Sequence, residues 1–133
     1  MTMTLGEFIK WLVFLLQKEG VPLSLNNQLS WHKLFYRLKM RGDVVEKPVF
    51  LKELWFDWCY AYPKSPELSK FLQALCWTGI VETTDFGRNY KLQEDMEQLL
   101  QRRFENLNEK TKQYLNSIVK IAKEEFAGVV SRA

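Results

Sequence analysis

The sequence is poor in the residues that build most catalytic and metal sites. It contains two cysteines and one histidine in 133 residues. Cys59, Cys76 and His32 provide too few ligands for a structural zinc site, and the CxxC spacing of such sites is absent. Both cysteines stand among aromatic residues, so we expect buried, reduced thiols rather than a disulfide.

Nucleotide and acid–base chemistry are equally unsupported. No glycine-rich loop ends in Lys-Ser or Lys-Thr, which excludes a P-loop. Glu94, Asp95 and Glu97 cluster at the start of a predicted helix, where acids favour the helix dipole, and this explanation is preferred to a catalytic pair. His32 has no obvious acid partner, and a solvated helix histidine is preferred to a general base. We therefore expect no enzyme activity, no cofactor and no metal.

Long hydrophobic runs are also missing. The longest apolar run, Trp11–Leu16, has six residues, far short of a membrane span. The N-terminus lacks the basic start and the small-residue cleavage site of a signal peptide. Together with the reduced thiols, these features predict a cytoplasmic protein with no membrane partner. The length predicts one domain, and 47% hydrophobic residues provide enough apolar side chains for a core.

The most informative segment is Lys64–Leu92. Ser65 suits an N-cap and the following proline suits the first position of a helix over Pro66–Thr78. Gly79 suits a helix end. The β-branched run after it, a glycine-containing turn and a second short run predict an antiparallel hairpin over Ile80–Leu92.

Further helices are predicted on both sides of this segment. Thr4 begins a capping box and Gly20 ends the first helix. Ser30 is the expected cap of the second. The stretch Phe50–Trp58 fits a helix or a strand, and we favour a helix near Val49–Leu54 followed by extended chain. The remaining predicted helices are Trp31–Arg41, Glu94–Glu105 and a long one from Asn108 to about Phe126.

The pattern L..L...G.v......Y.L in Pro66–Leu92 resembles the recognition helix and wing of winged-helix regulators. This resemblance implies a mainly α fold with a small β-hairpin (α+β), with extra N-terminal helices and a long C-terminal helix. The single winged-helix-like domain would span residues 1–133, with the helix-turn-helix and wing in 48–92 and the C-terminal helices in 94–131. If Phe50–Trp58 is a strand, the fold is instead a relative with a rearranged first half.

A second resemblance covers Phe56–Leu68. This segment is similar to the F..y.yGPyS..l segment of Panacea-type domains and related archaeal proteins, although Cys59 and Ala61 stand near the position of the family's glycine. In that family, too, an N-terminal helix pair precedes the aromatic segment. The resemblance implies an antitoxin-like or adaptor role that acts through protein contacts.

The winged-helix interpretation predicts a surface that binds double-stranded DNA. Polar side chains on the outward face of the recognition helix would reach base edges or phosphates, and those of the hairpin would contact the backbone or minor groove. An ordinary solvated helix face is the alternative. The predicted nucleic-acid-binding residues are Lys64, Ser69, Lys70, Gln73, Arg88, Asn89 and Lys91.

A second basic surface competes with it. Lys33, Arg37 and Arg41 recur every four residues and therefore line one face of a helix. Basic residues beside aromatics suit phosphate binding. An exposed helix face without a ligand is again the alternative.

The last helix carries an apolar arc wider than one surface helix requires. We therefore predict a homodimer through Tyr114, Ile118, Ile121 and Phe126. In the alternative, this helix closes over the chain's own core. The leading functional hypothesis is a small winged-helix DNA-binding protein, a dimeric transcriptional regulator. The alternative is a protein–protein interaction module that does not bind DNA.

Overall fold

The computed structural model describes residues 3–21, 28–42, 47–58, 62–75, 81–84 and 89–130. Side chains are described for most of these residues, but not for the strands before Leu92 or for the end of the last helix. The elements in chain order are α1 (Leu5–Lys18), α2 (Gln28–Met40), α3 (Val49–Glu53), α4 (Pro66–Leu75), β1 (Val81–Thr84), β2 (Asn89–Leu92), α5 (Glu94–Glu105) and α6 (Glu109–Val130).

The predicted limits of the first helix and the predicted start of the last helix are confirmed, whereas the last helix runs to Val130, beyond its predicted end near Phe126. Thr4 Oγ1 accepts from the Glu7 amide at 3.2 Å, which caps α1. Gly20 follows that helix with φ of 73°, a left-handed conformation that favours glycine. Asn108 Oδ1 accepts from the Thr111 amide at 2.8 Å and caps α6.

The core is built where α1, α2 and α6 meet. Both α1 and α2 pack along α6, and Trp31 meets Phe126 edge-to-face with 5.0 Å between ring centroids. Helix α1 is buried nearly all round, since Trp11–Leu16 is buried without interruption. The apolar run that is too short for a membrane is therefore the centre of this core.

The second helix begins earlier than predicted. It starts at Gln28, so Ser30 lies inside the helix, where it is 3% exposed. The prediction that Ser30 caps this helix is wrong, because tertiary packing buries that turn. The preference for a short helix followed by extended chain is confirmed, since Leu54 has φ −62° and ψ 124° directly after α3.

The extended chain then doubles back. The backbones of Asp57 and Lys64 form an isolated antiparallel bridge with N···O distances of 2.7 and 3.0 Å. Ser65 caps α4 as predicted, because its Oγ accepts from the Leu68 amide at 3.3 Å. The predicted helix end at Thr78 and Gly79 lies outside the described residues.

Two short strands follow α4. Val81 pairs with Leu92 and Thr84 with Asn89 in antiparallel register. The Leu92 amide donates to Gln17 Oε1 at 2.9 Å, which ties β2 to α1. The turn between the strands lies outside the described residues.

The predicted fold class is nevertheless wrong. Helices form the layers of the core, the two four-residue strands pair with each other and add no layer, and the fold is all-α rather than α+β. The winged-helix-like arrangement also fails, because α3 and α4 are separated by residues 54–65. A helix-turn-helix needs a turn of about 3–4 residues. Instead, α3 packs on α2, so the ribbon of β1 and β2 is not the wing of a helix-turn-helix.

Candidate functional site

A buried histidine joins α2 to the start of α4. His32 is 0% exposed, so the prediction of a solvated histidine is wrong. Its Nδ1 accepts from the Ser65 amide at 3.0 Å, and its Nε2 lies 3.1 Å from Ser69 Oγ. Both ring nitrogens are thus used to position one turn of α4.

These contacts fix the tautomer of the ring. Since Nδ1 accepts a backbone hydrogen bond, the neutral ring carries its proton on Nε2 and donates it to Ser69 Oγ. Burial lowers the pKa of His32 to about 4, with a further contribution from the charge of Lys64. The lone pair is directed at Ser65, so His32 is not placed to take a proton from Ser69.

A shallow groove opens beside this histidine. Its volume is about 290 Å³. Four of the predicted nucleic-acid-binding residues meet there on the side of α4 and the bridge that precedes it. The groove is lined by Asp57, Lys64, Pro66, Ser69, Lys70 and Gln73.

The hairpin part of the predicted DNA surface cannot be compared with this groove. Arg88 lies outside the described residues, and the side chains of Asn89 and Lys91 are not described. The structure thus brings together the α4 half of the predicted set and leaves the strand half untested.

The second feature is a set of aromatic side chains on α2 and on the segment after α3. We call it the aromatic surface, and its members are Tyr36, Trp55, Phe56 and Trp58. Tyr36 of α2 meets Phe56 and Trp58 edge-on, with ring centroids 5.3 and 5.1 Å away. Trp55 and Trp58 are each 60% exposed. Tryptophan is highly buried on average, so two exposed indoles within four residues require an explanation.

Lys39 holds this segment against α2, and Lys47 is itself bonded to the end of α2. The Lys39 ammonium donates to the Leu54 carbonyl and lies 5.9 Å from the centre of the Phe56 ring. Lys47 donates to the Lys39 carbonyl at 2.6 Å. Met40, at the end of α2, is 62% exposed. Within the aromatic surface, Phe56 therefore packs against the core, while Trp55 and Trp58 face solvent.

The alternative basic surface is divided between solvent and α6. Lys33 is exposed. Arg37 forms ion pairs with Glu124 at 2.8 Å and Glu125 at 3.0 Å, and these acids raise its pKa. Arg41 donates to Ser117 Oγ at 3.0 Å. Two of the three cations thus tie α2 to α6, which accounts for them without a phosphate ligand.

The residues predicted to form a dimer lie mainly in the core of this chain. Ile118 is 0%, Phe126 4% and Tyr114 8% exposed, and burial raises the pKa of Tyr114 to about 12. Ile121 is partly buried against the same core. The wide apolar arc is covered by α1 and α2, so it no longer argues for a second copy of the chain.

Sequence reasoning missed the aromatic surface as a site and missed His32 as a buried anchor. The signal for the first was present, since Phe56, Trp58 and their neighbours are more aromatic than one extended segment requires. The signal for the second was absent, because the partners of His32 lie 33 and 37 residues away in the sequence.

Comparison with known proteins adds no relative. No protein-family model, curated protein or solved structure matches this chain. Among the described residues, no helix combines the length and apolar character needed to cross a membrane.

Proposed function

We propose that this chain is a protein–protein interaction module, acting in the cytoplasm, that recognises its partner through the aromatic surface. The observation that carries the proposal is the exposure of Trp55 and Trp58, each 60% accessible on a segment held to α2. Tryptophan and tyrosine are enriched among the residues that contribute most binding energy at protein interfaces. The role requires neither enzyme activity nor a cofactor.

The surroundings of these rings support a pre-organised surface. Asp57, between Phe56 and Trp58, is held by two backbone hydrogen bonds to Lys64. Tyr36 packs edge-on against the Trp58 ring. A partner would therefore bind aromatic side chains on a backbone segment that is already ordered. This reduces the conformational entropy lost on association.

Site-specific photocrosslinking in the producing cell tests the proposal. A photoreactive phenylalanine analogue replaces Trp58 in one variant and Gln113, an exposed position on α6, in a matched control. We expect a discrete protein adduct from position 58, and its loss when Trp55→Ala is added. Equal or absent crosslinking at both positions would refute the proposal.

A second candidate function, binding of double-stranded DNA, retains one specific observation. The groove places Lys64, Lys70, Ser69 and Gln73 together, and such side chains bind phosphates and base edges. Fluorescence anisotropy with a mixed-sequence duplex at low salt tests it. Binding that weakens in Lys70→Glu but not in Lys110→Glu would support this function, and no binding by the wild type would remove it.

A further inference from the structure

Helix α4 is held to the rest of the chain by few contacts. The helix pairs whose backbones pack closely are α1 with α5 and α6, and α2 with α3 and α6. Helix α4 instead reaches the core through the side chains of Leu68 and Leu72, which are 0% and 1% exposed, and Phe71 lies beside Gly6 of α1. With ten residues, α4 is shorter than the about 12–15 residues that an isolated helix needs in water. Its helical structure therefore depends on these contacts.

The polar part of this attachment is His32. Its Nδ1 accepts from the Ser65 amide at 3.0 Å, and its Nε2 donates to Ser69 Oγ at 3.1 Å. The Ser69 amide in turn donates to the Ser65 carbonyl at 3.0 Å, so one ring holds both ends of the first turn of α4. The ring has no exposed surface, and water reaches it only if α4 moves away.

This arrangement accepts only the neutral ring. A protonated histidine is a donor at both nitrogens. The new N–H at Nδ1 would point at the Ser65 amide, so two donors would meet without an acceptor. An unpaired buried donor is costly, and a buried charge is more so.

The charges around the ring also oppose protonation. On the segment before α4, the Tyr62 ring lies beside His32, with centroids 6.1 Å apart, and the charge of Lys64 lowers the pKa of His32. Across the bridge from Lys64 stands Asp57, while Glu67 and Lys70 of α4 are exposed. Among the described groups, no carboxylate raises the pKa of the ring.

The helical core does not depend on the hydrogen bonds of His32. Trp31 keeps α2 on α6, because it is fully buried and its ring meets that of Phe126 with centroids 5.0 Å apart. Helix α1 contributes eight buried side chains, from Phe8 to Leu16, and none of them titrates. Arg37 is 43% exposed, so weakening of its ion pairs in acid costs little.

We propose that His32 is a pH-sensitive switch: uptake of a proton from solvent at Nδ1 releases the first turn of α4 from α2, while α1, α2 and α6 stay packed. The charged ring gains water once α4 has moved, and the Ser65 amide gains water as its acceptor. Ser69, Lys70 and Gln73 move with α4, so the groove that they line is lost.

Hydrogen–deuterium exchange of the whole chain, read by peptide mass spectrometry between pH 7 and pH 4, tests this inference. After correction for the intrinsic exchange rate, the protection of α4 amides should fall about twentyfold between pH 7 and pH 5, because the pKa of His32 rises from about 4 towards 6.5 on release. At pH 4, α4 should exchange freely while α6 remains protected. Loss of protection in α4 and α6 together would mean unfolding of the whole chain and would overturn the switch.

The titration of the ring provides a second readout. His32 is the only histidine, so its carbon-bound ring protons can be followed by NMR in the same samples. The ring should titrate as α4 loses protection, with a midpoint between about 4 and 6.5. Titration of the ring while α4 stays protected would show that the charged ring is tolerated in place, and the proposal would fail.

Two variants separate the proton from the contact. In His32→Gln, an uncharged donor and acceptor replaces the ring, so the protection of α4 should change little between pH 7 and pH 5. Ser69→Ala removes only the partner of Nε2, so α4 should be less protected at pH 7 and should keep its pH response. An unchanged pH response in His32→Gln would assign the effect to another group. If that variant does not fold, the wild type and Ser69→Ala still decide the matter.

Discussion

Helix α6 and the segment Leu54–Trp58 are both rich in large apolar side chains, yet they end in opposite environments. In α6, Leu115, Ile118 and Ala122 are all 0% exposed. In the shorter segment, only Leu54 is buried and both tryptophans face solvent.

The difference lies in what each element packs against. Residues at helical spacing on α6 present one continuous face, and two helices cover it. Side chains of an extended segment alternate between two sides, and α2 supports one of them through Tyr36. The number of apolar side chains therefore indicates how much apolar surface an element has. The arrangement of the neighbouring elements determines how much of that surface is buried from solvent.

The largest expected loss of stability follows from replacing a buried tryptophan. Trp31→Ala should lower the free energy of unfolding by about 3–5 kcal/mol, because it leaves a cavity against Phe126 and Phe35. Trp58→Ala, which removes an exposed ring of the same size, should cost less than about 1 kcal/mol. Urea denaturation followed by circular dichroism measures both.

Trp31→Phe provides an intermediate case if the alanine variant does not fold. It should lose less stability than Trp31→Ala and more than Trp58→Ala. Equal losses at positions 31 and 58 would contradict the contrast between core and surface.

A smaller effect on stability is expected from pH, through the buried His32 that joins α2 to α4. The pKa of His32 is lowered from 6.5 to about 4 in the folded state, so the unfolded chain binds a proton more readily. Stability is therefore fully present above pH 6.5 and is lost as pH falls towards 4. Between about pH 7 and pH 5, the free energy of unfolding should fall by about 2 kcal/mol.

His32→Gln is the control, since the chain has no other histidine. The variant should be less stable at neutral pH, because a buried hydrogen-bond network is altered. Its stability should vary less over the same pH range. A wild-type stability that does not change between pH 7 and pH 5 would show that the ring is not held neutral.

The smallest effect is expected at the ion pairs between α2 and α6. In a double-mutant cycle of Arg37→Ala and Glu125→Ala, the coupling energy should be below about 1 kcal/mol, because Arg37 is 43% exposed. It should also fall at high salt. A coupling energy of several kcal/mol would mean that the ion pairs of Arg37, rather than the apolar face, fix the position of α6.

Sequence reasoning predicted the parts of the fold that short-range chemistry determines. The caps at Thr4, Ser65 and Asn108 each use a side chain and an amide three residues away. The strand positions in Val81–Leu92 were also recognised from local composition. Such features require no knowledge of the rest of the chain.

Features set by distant contacts could not be predicted in the same way. His32 resembles a surface residue among basic neighbours, and only the approach of α4 buries it. The helix-turn-helix interpretation failed because the local sequence patterns that predict α3 and α4 carry no information about the chain between them. That chain forms an antiparallel bridge between Asp57 and Lys64. For the candidate site, Ser69, Lys70 and Gln73 were predicted to bind nucleic acid; the structure places them in one groove, and their binding of DNA stays a prediction. The exposure of Trp55 and Trp58 depends on which neighbouring elements cover the segment, and local sequence does not state this.

The hydrogen bonds of His32 also hold α2 and α4 together independently of the short connection that follows α2. They close a loop between α2 and α4, and the entropy of closing such a loop rises only slowly, by about 0.6 kcal/mol for each doubling of its length. Gly42 is exposed, with open space around it. A peptide tag or a small reporter domain inserted after Gly42 would therefore leave both ends of the loop where His32 holds them, which makes this position a suitable attachment point for labels.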